Sequence, residues 1–471
     1  MNHNDVTNGL KREIGFFSAT ILVVANMIGT GIFTTSGFII QELGSPGVML
    51  LCWIVGGIFA LSGALCYGEL GAMFPLAGGE YVYLRESFGK LMAFLSGWIS
   101  LIVGFSAPIA AATIAFATYF FRAFPNILPV EMNAPLVNNS ILIITPVTVL
   151  ASFIIIIFSL VHSHSLWFGS RVQNVLTTFK LLLIVSFVAG GFFLGKGSMP
   201  RLFDTSQTAS IFSSQFAVSL IFISFAYSGW NAAAYLGSEI KNPARNIPFS
   251  LLTGTFLVMI LYFLLNVTYL SALSVPEMSG VLEVGAKAAI ALFGEKVSYF
   301  VAGAIAIGLL SVISAMILAG PRVYYAMARD GVFIKSLAKL REKHRTPAHA
   351  IVLQGFLAIV VAITASFDKL LIYIGFTLSL FAVLTVCGLI ILRTRNHRRH
   401  SAYKTWGYPL TPIVFILGNL WIIFYSIKNK PLISGFGLGT IAMGALVYLF
   451  INRRAKSKQG VTINNEKTSL W

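Results

Sequence analysis

Long runs of apolar residues dominate the chain, and short segments carrying charges, glycine or proline separate them. Runs such as 141–161 and 249–271 exceed the roughly 20 residues that a helix needs to cross a bilayer core of about 30 Å. The pattern predicts an all-α membrane protein of about twelve transmembrane helices, with no separate soluble domain. The predicted spans are 14–41, 47–73, 91–121, 141–161, 174–195, 211–236, 249–273, 297–326, 348–365, 369–392, 408–427 and 433–452.

Composition and charge support this class. Hydrophobic residues make up 57% of the chain and charged residues 10%, against about 25% charged in soluble domains. The net charge of +17 could suggest a nucleic-acid partner, but the basic residues lie in short segments between apolar runs. Of the 33 lysines and arginines, 25 fall on the side of both termini, Lys180 included, and 8 on the other. The asymmetry predicts a multi-pass cell-membrane protein, a single transmembrane domain over 14–452, and cytoplasmic tails at 1–13 and 453–471.

Two predicted spans contain glycine-bearing interruptions near their middle. Span 1 contains Gly29-Thr30-Gly31, and span 6 contains Gly229 and Asn231. Spans five apart run in opposite directions, so these interruptions predict a five-plus-five inverted repeat with discontinuous helices 1 and 6, followed by two extra helices. Matched interruptions of this kind are typical of a transporter binding site.

The chemistry of a broken helix favours a zwitterionic ligand. Unwinding frees N–H and C=O groups that hydrocarbon cannot pair. A carboxylate fits the positive N-terminal end of a half-helix, and an ammonium fits the freed carbonyls. The alternative is ordinary packing of small residues between membrane helices. That alternative suits a single Gly-x-Gly, whereas the matched pair favours a binding site.

Five motifs in order carry a family resemblance. They are residues 25–33 (ANMIGTGIF), 78–81 (GGEY), 226–231 (AYSGWN), 239–248 (EIKNPARNIP) and 326–331 (AMARDG). Together they resemble the amino acid–polyamine–organocation (APC) superfamily, and in particular its L-type amino-acid transporter branch.

The resemblance implies roles for the residues around both interruptions. The N–H groups of Thr30 and Gly31 would bind the substrate carboxylate, and the carbonyls of Met27, Phe225 and Ser228 its ammonium. Phe225 would also act as an aromatic gate, unless it is a core or lipid-facing aromatic. Asn231 would hydrogen-bond at the pocket edge, unless it caps a helix or bridges helices. The predicted substrate-binding residues are Met27, Ile28, Gly29, Thr30, Gly31, Phe225, Ala226, Ser228, Gly229 and Asn231.

Two further residues concern gating or coupling. Lys180 lies about two turns inside span 5, and an ammonium at that depth marks a functional site unless it snorkels to the interface. The resemblance implies that Lys180 replaces a sodium ion by bridging span 5 to the broken first helix, although a buried lysine can also lose its proton. Tyr269 matches a family tyrosine thought to influence coupling; an interfacial aromatic is the alternative.

These features predict a sodium-independent exchanger of neutral L-amino acids that works by alternating access. We expect the empty carrier to cross slowly because its freed backbone groups and Lys180 would lack partners. A proton-coupled symporter remains an alternative; a polytopic membrane enzyme would need a cluster of catalytic carboxylates or histidines, which the sequence lacks. No catalytic residue, cofactor or metal site is predicted. The segment 122–140 contains no cysteine, so no disulfide-linked heavy chain is expected.

Overall fold

The computed structural model describes residues 10, 12–127, 136–138, 142–164, 166–195, 213–341, 346–364, 367–395 and 402–468. Their regular structure is almost entirely helical, which confirms the all-α class. The exception within these ranges is a two-residue antiparallel ladder in which β1 (Val137–Asn138) pairs with β2 (Ile143–Ile144).

Nineteen α-helices make up the described fold. The first eight are α1 (Phe16–Met27), α2 (Thr30–Leu43), α3 (Pro46–Met73), α4 (Glu80–Phe88), α5 (Lys90–Ile99), α6 (Ala107–Ala123), α7 (Pro146–His164) and α8 (Leu166–Phe193), with a π-helical segment, Ser100–Ser106, joining α5 to α6. The next seven are α9 (Ser214–Ala226), α10 (Ala232–Tyr235), α11 (Pro243–Ala272), α12 (Val275–Met278), α13 (Val284–Phe293), α14 (Glu295–Ala319) and α15 (Pro321–Arg329). The last four are α16 (Ala348–Thr364), α17 (Phe367–Arg395), α18 (Leu410–Asn429) and α19 (Pro431–Thr468), after a 3₁₀ turn at Lys335–Ala338.

Ten spans within the described residues are long and apolar enough to cross a membrane. The helices at the predicted sixth and ninth spans, Ser214–Ala226 and Ala348–Thr364, are apolar but shorter. The total of twelve spans therefore stays a prediction. Helix α19 runs past residue 452 into the predicted C-terminal tail.

The predicted start of span 4 is wrong by about five residues. Residue 141 lies outside the described residues, and Ile143–Ile144 forms a strand instead of a helical turn. The helix begins at Pro146 because Thr145 precedes it as a cap: the Thr145 hydroxyl accepts a hydrogen bond from the backbone N–H of Thr148 at 3.3 Å. A threonine cap followed by proline at the first helical position is a strong start signal.

The helices that carry the two interruptions lie at the centre of the bundle. Helix α1 packs against α8, α11 and α14, and α2 packs against α9. A Cβ added to Gly31 would lie 2.4 Å from the Cα of Ala226, so the backbones of α2 and α9 are in direct contact. This position requires glycine because any side chain would push the two helices apart.

Ion pairs join the helix ends on the face of the bundle where α1 begins, which we call the terminal face. Glu239 and Arg322 form a fully buried two-point pair, with nitrogen–oxygen distances of 2.9 and 3.1 Å. Glu69, at the end of α3, accepts a 2.8 Å bond from Arg393 of α17. The first pair ties α15 to the turn that precedes α11, and the second ties the end of α3 to the end of α17.

Candidate substrate site

The first interruption separates α1 from α2. Helix α1 ends at Met27, Ile28 and Gly29 are non-helical, and α2 begins at Thr30. The first N–H groups of a helix have no intrahelical partner, and no hydrogen bond within the described residues ends on the N–H of Thr30 or Gly31. The predicted discontinuity of helix 1 is confirmed, and it leaves two N–H donors at the centre of the bundle.

The second interruption separates α9 from the short helix α10. Helix α9 ends at Ala226, and the turn that follows leads to Asn231. Gly229 has a φ of +92°, and a Cβ there would lie 2.9 Å from the backbone carbonyl carbon of Asn26. Both the conformation and the close approach require glycine. The discontinuity of helix 6 is likewise confirmed, and this glycine seats it against the end of α1.

A narrow cavity lies between the two interruptions. Its walls include seven of the ten predicted substrate-binding residues. They are Met27, Gly29, Thr30, Gly31, Phe225, Ala226 and Ser228. Pro108 and Ala112 of α6 and Val312 and Met316 of α14 close the remaining sides. The sequence prediction therefore located most of the residues of this cavity but did not identify its walls from α6 and α14.

A larger cavity adjoins the first, and Asn26, Pro108, Ser228 and Met316 line both. Gly229 and Asn231 line this larger cavity instead of the smaller one. Ile28 lines neither. The structure thus separates the predicted set into seven residues around one cavity, two at the next, and one outside both.

Two of the three carbonyls assigned to the substrate ammonium already accept hydrogen bonds from the chain. The Met27 carbonyl lies 2.5 Å from the Tyr262 hydroxyl, and the Phe225 carbonyl accepts from the N–H of Ser228 at 2.9 Å. The Ser228 carbonyl accepts none within the described residues. Each carbonyl has two lone pairs, so a ligand ammonium would share the first two with internal donors.

Tyr262 of α11 is a site residue that sequence reasoning missed. Its hydroxyl lies within hydrogen-bonding distance of the carbonyls of Met27 and, at 3.0 Å, Ala226. It therefore connects the last residue of α1 to the last residue of α9. A sequence signal existed: Tyr262 and Asn266 place two polar groups four residues apart within an apolar run, on one helix face.

Lys180 of α8 lies completely buried behind the first interruption. Its ammonium donates to the carbonyl of Ala25 at 3.1 Å and also to that of Ile28. Snorkelling is thereby excluded, because the side chain has no exposed surface. The expectation that Lys180 would lack a partner in the empty carrier is wrong, since two carbonyls at the end of α1 bind it.

Phe225 and Tyr269 occupy different surroundings. Phe225 is 5% exposed at the end of α9 and lines the smaller cavity, so it is not a lipid-facing aromatic. Tyr269 is 1% exposed, packs its ring 6.0 Å from that of Phe187 and lines neither cavity. The interfacial alternative for Tyr269 does not hold, because its side chain is buried inside the bundle.

Glu80 is the second residue that sequence reasoning missed as part of a site. It opens α4, is 6% exposed and lines the larger cavity. Its Oε1 accepts from the Tyr67 hydroxyl at 2.7 Å and from Nδ2 of Asn231 at 2.9 Å. Asn231 is thus neither a side-chain helix cap nor a group directed at the smaller cavity. Burial raises the pKa of the Glu80 carboxyl to about 7.

Comparison with known proteins gives a consistent result. Residues 14–450 match the family model described as amino acid permease. The chain is 30% identical to the mouse b(0,+)-type amino acid transporter 1, over 94% of this chain and 88% of that protein. It is 30% identical to the mouse large neutral amino acids transporter small subunit 2, over 93% and 81%, and 28% identical to the mouse Asc-type amino acid transporter 1, over 95% and 83%.

Proposed function

Because the chain belongs to the amino acid permease family, within the L-type branch of the APC superfamily, we propose that it exchanges neutral L-amino acids across a cell membrane without sodium. Membership makes it a transporter and not an enzyme. The observation that supports the substrate class is the cavity between the two interruptions. The N–H groups of Thr30 and Gly31, which have no acceptor among the described residues, border it on one side, and the carbonyl ends of α1 and α9 border it on the other.

Charge at the cavity favours a neutral amino acid. None of the described residues that line it is acidic or basic, so the α-carboxylate and α-ammonium of the substrate would meet only neutral groups. Ser228, which also lines the cavity, is neutral. A cationic or anionic substrate side chain would enter the small cavity without a countercharge, which is costly in a buried setting.

Sodium independence is supported by Lys180. Its ammonium bonds to the carbonyls of Ala25 and Ile28, which is a position where a cation would stabilise the negative C-terminal end of α1. A fixed ammonium there would remove the need for a bound metal ion. We further propose that both chain termini are cytoplasmic and that no disulfide-linked heavy chain is required.

Purified protein in proteoliposomes tests this function. Uptake of a labelled neutral amino acid should depend on unlabelled amino acid inside the vesicles and should be unchanged when choline replaces sodium. Uptake into empty vesicles driven by an acid-outside gradient alone would favour proton symport instead, and a strict sodium requirement would contradict the proposal. A thermal-shift screen against the twenty amino acids would identify the substrate set.

A matched pair of glycine variants links transport to the site. Gly229→Ala places a Cβ 2.9 Å from the Asn26 backbone at a φ of +92°, so exchange should fall at least about 30-fold if the distortion costs about 2 kcal/mol. In Gly435→Ala the added Cβ meets no atom within 4 Å, so exchange should match the wild type. Equal activity of the two variants would show that the second interruption does not form the transport site.

A further inference from the structure

Glu80 is a buried carboxyl that has no cationic partner among the residues that the structure describes. None of the five ion pairs formed by the described residues includes it. The neighbouring Arg85, one turn along α4, pairs with Glu86 and Asp330 instead. A buried carboxylate without a countercharge is unstable unless hydrogen bonds or a proton compensate it.

The groups that face Glu80 are neutral at physiological pH. Helix α3 contributes Tyr67, whose hydroxyl donates to it, and α10 contributes Tyr235, 3.2 Å from Nδ2 of Asn231. Its own helix contributes Tyr83, and Tyr67 is also close to Thr385 of α17, which packs on α4. The proton on Glu80 is therefore controlled by burial and two hydrogen bonds, and no fixed charge holds it.

Glu80 also connects α4 to the interrupted segment of helix 6. The carboxyl belongs to α4, whereas Asn231 ends the interrupted turn of helix 6 and directly precedes α10. Both residues line the larger cavity beside the substrate site. Any movement of α10 away from α4 would break the 2.9 Å bond between them and let water reach the carboxyl.

We propose that Glu80 is a proton-binding site that regulates exchange, because its protonation stabilises the conformation in which α10 closes on α4. The inference rests on the proposed function, whose transport cycle it would control. The ligand is a proton, and the bond that changes is the hydrogen bond between Glu80 and Asn231.

The direction of the pH dependence follows from proton linkage. In the enclosed conformation burial raises the pKa of Glu80 from 4.5 to about 7, whereas hydration would return it towards its ordinary value. The enclosed conformation therefore binds the proton more tightly and is favoured below about pH 7. Above that pH the ionised carboxylate favours conformations that hydrate it. Exchange needs both conformations, so we expect it to slow as pH falls through about 7.

The first test is a pH profile of exchange with equal pH on both sides of the vesicle, from about 5.5 to about 8.5. Wild-type exchange should rise with a midpoint near pH 7. Glu80→Gln keeps an oxygen acceptor for Tyr67 and Asn231 but cannot ionise, so its exchange should be slow at every pH and nearly flat. Glu86→Gln, at an exposed carboxyl of the same helix, should keep the wild-type profile. A flat wild-type profile, or an unchanged profile in Glu80→Gln, would overturn the proposal.

A second variant covers the possibility that Glu80→Gln fails to fold. Tyr67→Phe removes the hydroxyl that stabilises the ionised carboxylate and keeps the ring, which packs 4.6 Å from that of Trp230. A hydrogen bond to a charged group contributes about 1.5 kcal/mol or more, so the midpoint should move up by about one pH unit. An unshifted midpoint in folded Tyr67→Phe would contradict the role of Glu80.

Infrared difference spectroscopy separates this inference from the proposed function. On acidification through about pH 7, wild-type protein should gain the carbonyl band of a protonated carboxylic acid that Glu80→Gln lacks. If the band appears but no exchange is measured, the proposed function fails and the proton site stands. If exchange is normal and the band is absent, only the proton site fails.

Discussion

Replacing Lys180 with methionine is the most direct test of how the first interruption is held. Methionine keeps most of the aliphatic stem and removes the ammonium. The carbonyls of Ala25 and Ile28 then lose their donor. Leaving a buried acceptor unpaired costs about 1–3 kcal/mol each. Burying the ammonium itself costs several kcal/mol in the wild type, so the two effects oppose each other in global stability.

The local conformation of the first interruption that binds substrate gains nothing in return when the ammonium is removed. If only about 2 kcal/mol of bias towards that shape is lost, the competent fraction and the apparent substrate affinity both fall roughly 30-fold. We therefore expect Lys180→Met to melt close to the wild-type temperature, to bind substrate at least about 30-fold more weakly and to exchange correspondingly slowly. Calorimetric binding and vesicle exchange measure both.

The control for this variant is Lys90→Met, because Lys90 is exposed at the start of α5. It should bind and exchange as the wild type does. Substrate affinity and exchange within threefold of wild type in Lys180→Met would refute the argument that the ammonium holds the interruption. Loss of the folded protein would instead assign Lys180 to the stability of the bundle.

Two further substitutions probe the contact between the interruptions. Gly31→Ala brings a Cβ to 2.4 Å from the Cα of Ala226; because carbon atoms need about 3.5–4.0 Å, α2 and α9 must separate by more than about 1 Å. Substrate affinity should fall at least about tenfold, while Gly47→Ala, in open space, leaves it unchanged; equal affinities would contradict direct backbone contact. Tyr262→Phe removes the hydroxyl that lies within hydrogen-bonding distance of the Met27 and Ala226 carbonyls. The free energy of unfolding, measured by thermal unfolding, should fall by about 1–3 kcal/mol. An unaltered melting temperature would show that the hydroxyl holds neither carbonyl.

Much of the candidate site could be predicted because its signals are local. A Gly-Thr-Gly in an apolar run and a glycine five spans later are visible in the sequence itself, and both helices are interrupted there. Lys180 stands out because an ammonium inside an apolar run is rare. These residues can be recognised from their residue type and their position within an apolar run, without knowledge of the residues that they contact.

The partners could not be predicted because they depend on packing between distant spans. Tyr262 reaches Met27 across 235 positions of the chain, and Asn231 reaches Glu80 across 151. Which face of α11 or α4 meets the interruptions is set by helix rotation, and hydrophobicity fixes that rotation poorly in a bundle that is apolar throughout. The start of α7 was predicted too early for another reason, since Ile143–Ile144 is as apolar as the helix that follows it.

The chain's own groups occupy one side of the substrate cavity and leave the other available. Lys180 and Tyr262 already donate to carbonyls at the end of α1, whereas no hydrogen bond of the described residues ends on the N–H groups of Thr30 and Gly31. A substrate ammonium would compete with internal donors, but a substrate carboxylate would meet donors without a partner at the positive end of α2. The carboxylate should therefore contribute most of the anchoring. If the proposed exchange mechanism holds, the empty carrier would return slowly because it lacks a ligand for the N–H groups of Thr30 and Gly31, which have no acceptor among the described residues; Lys180 already has partners.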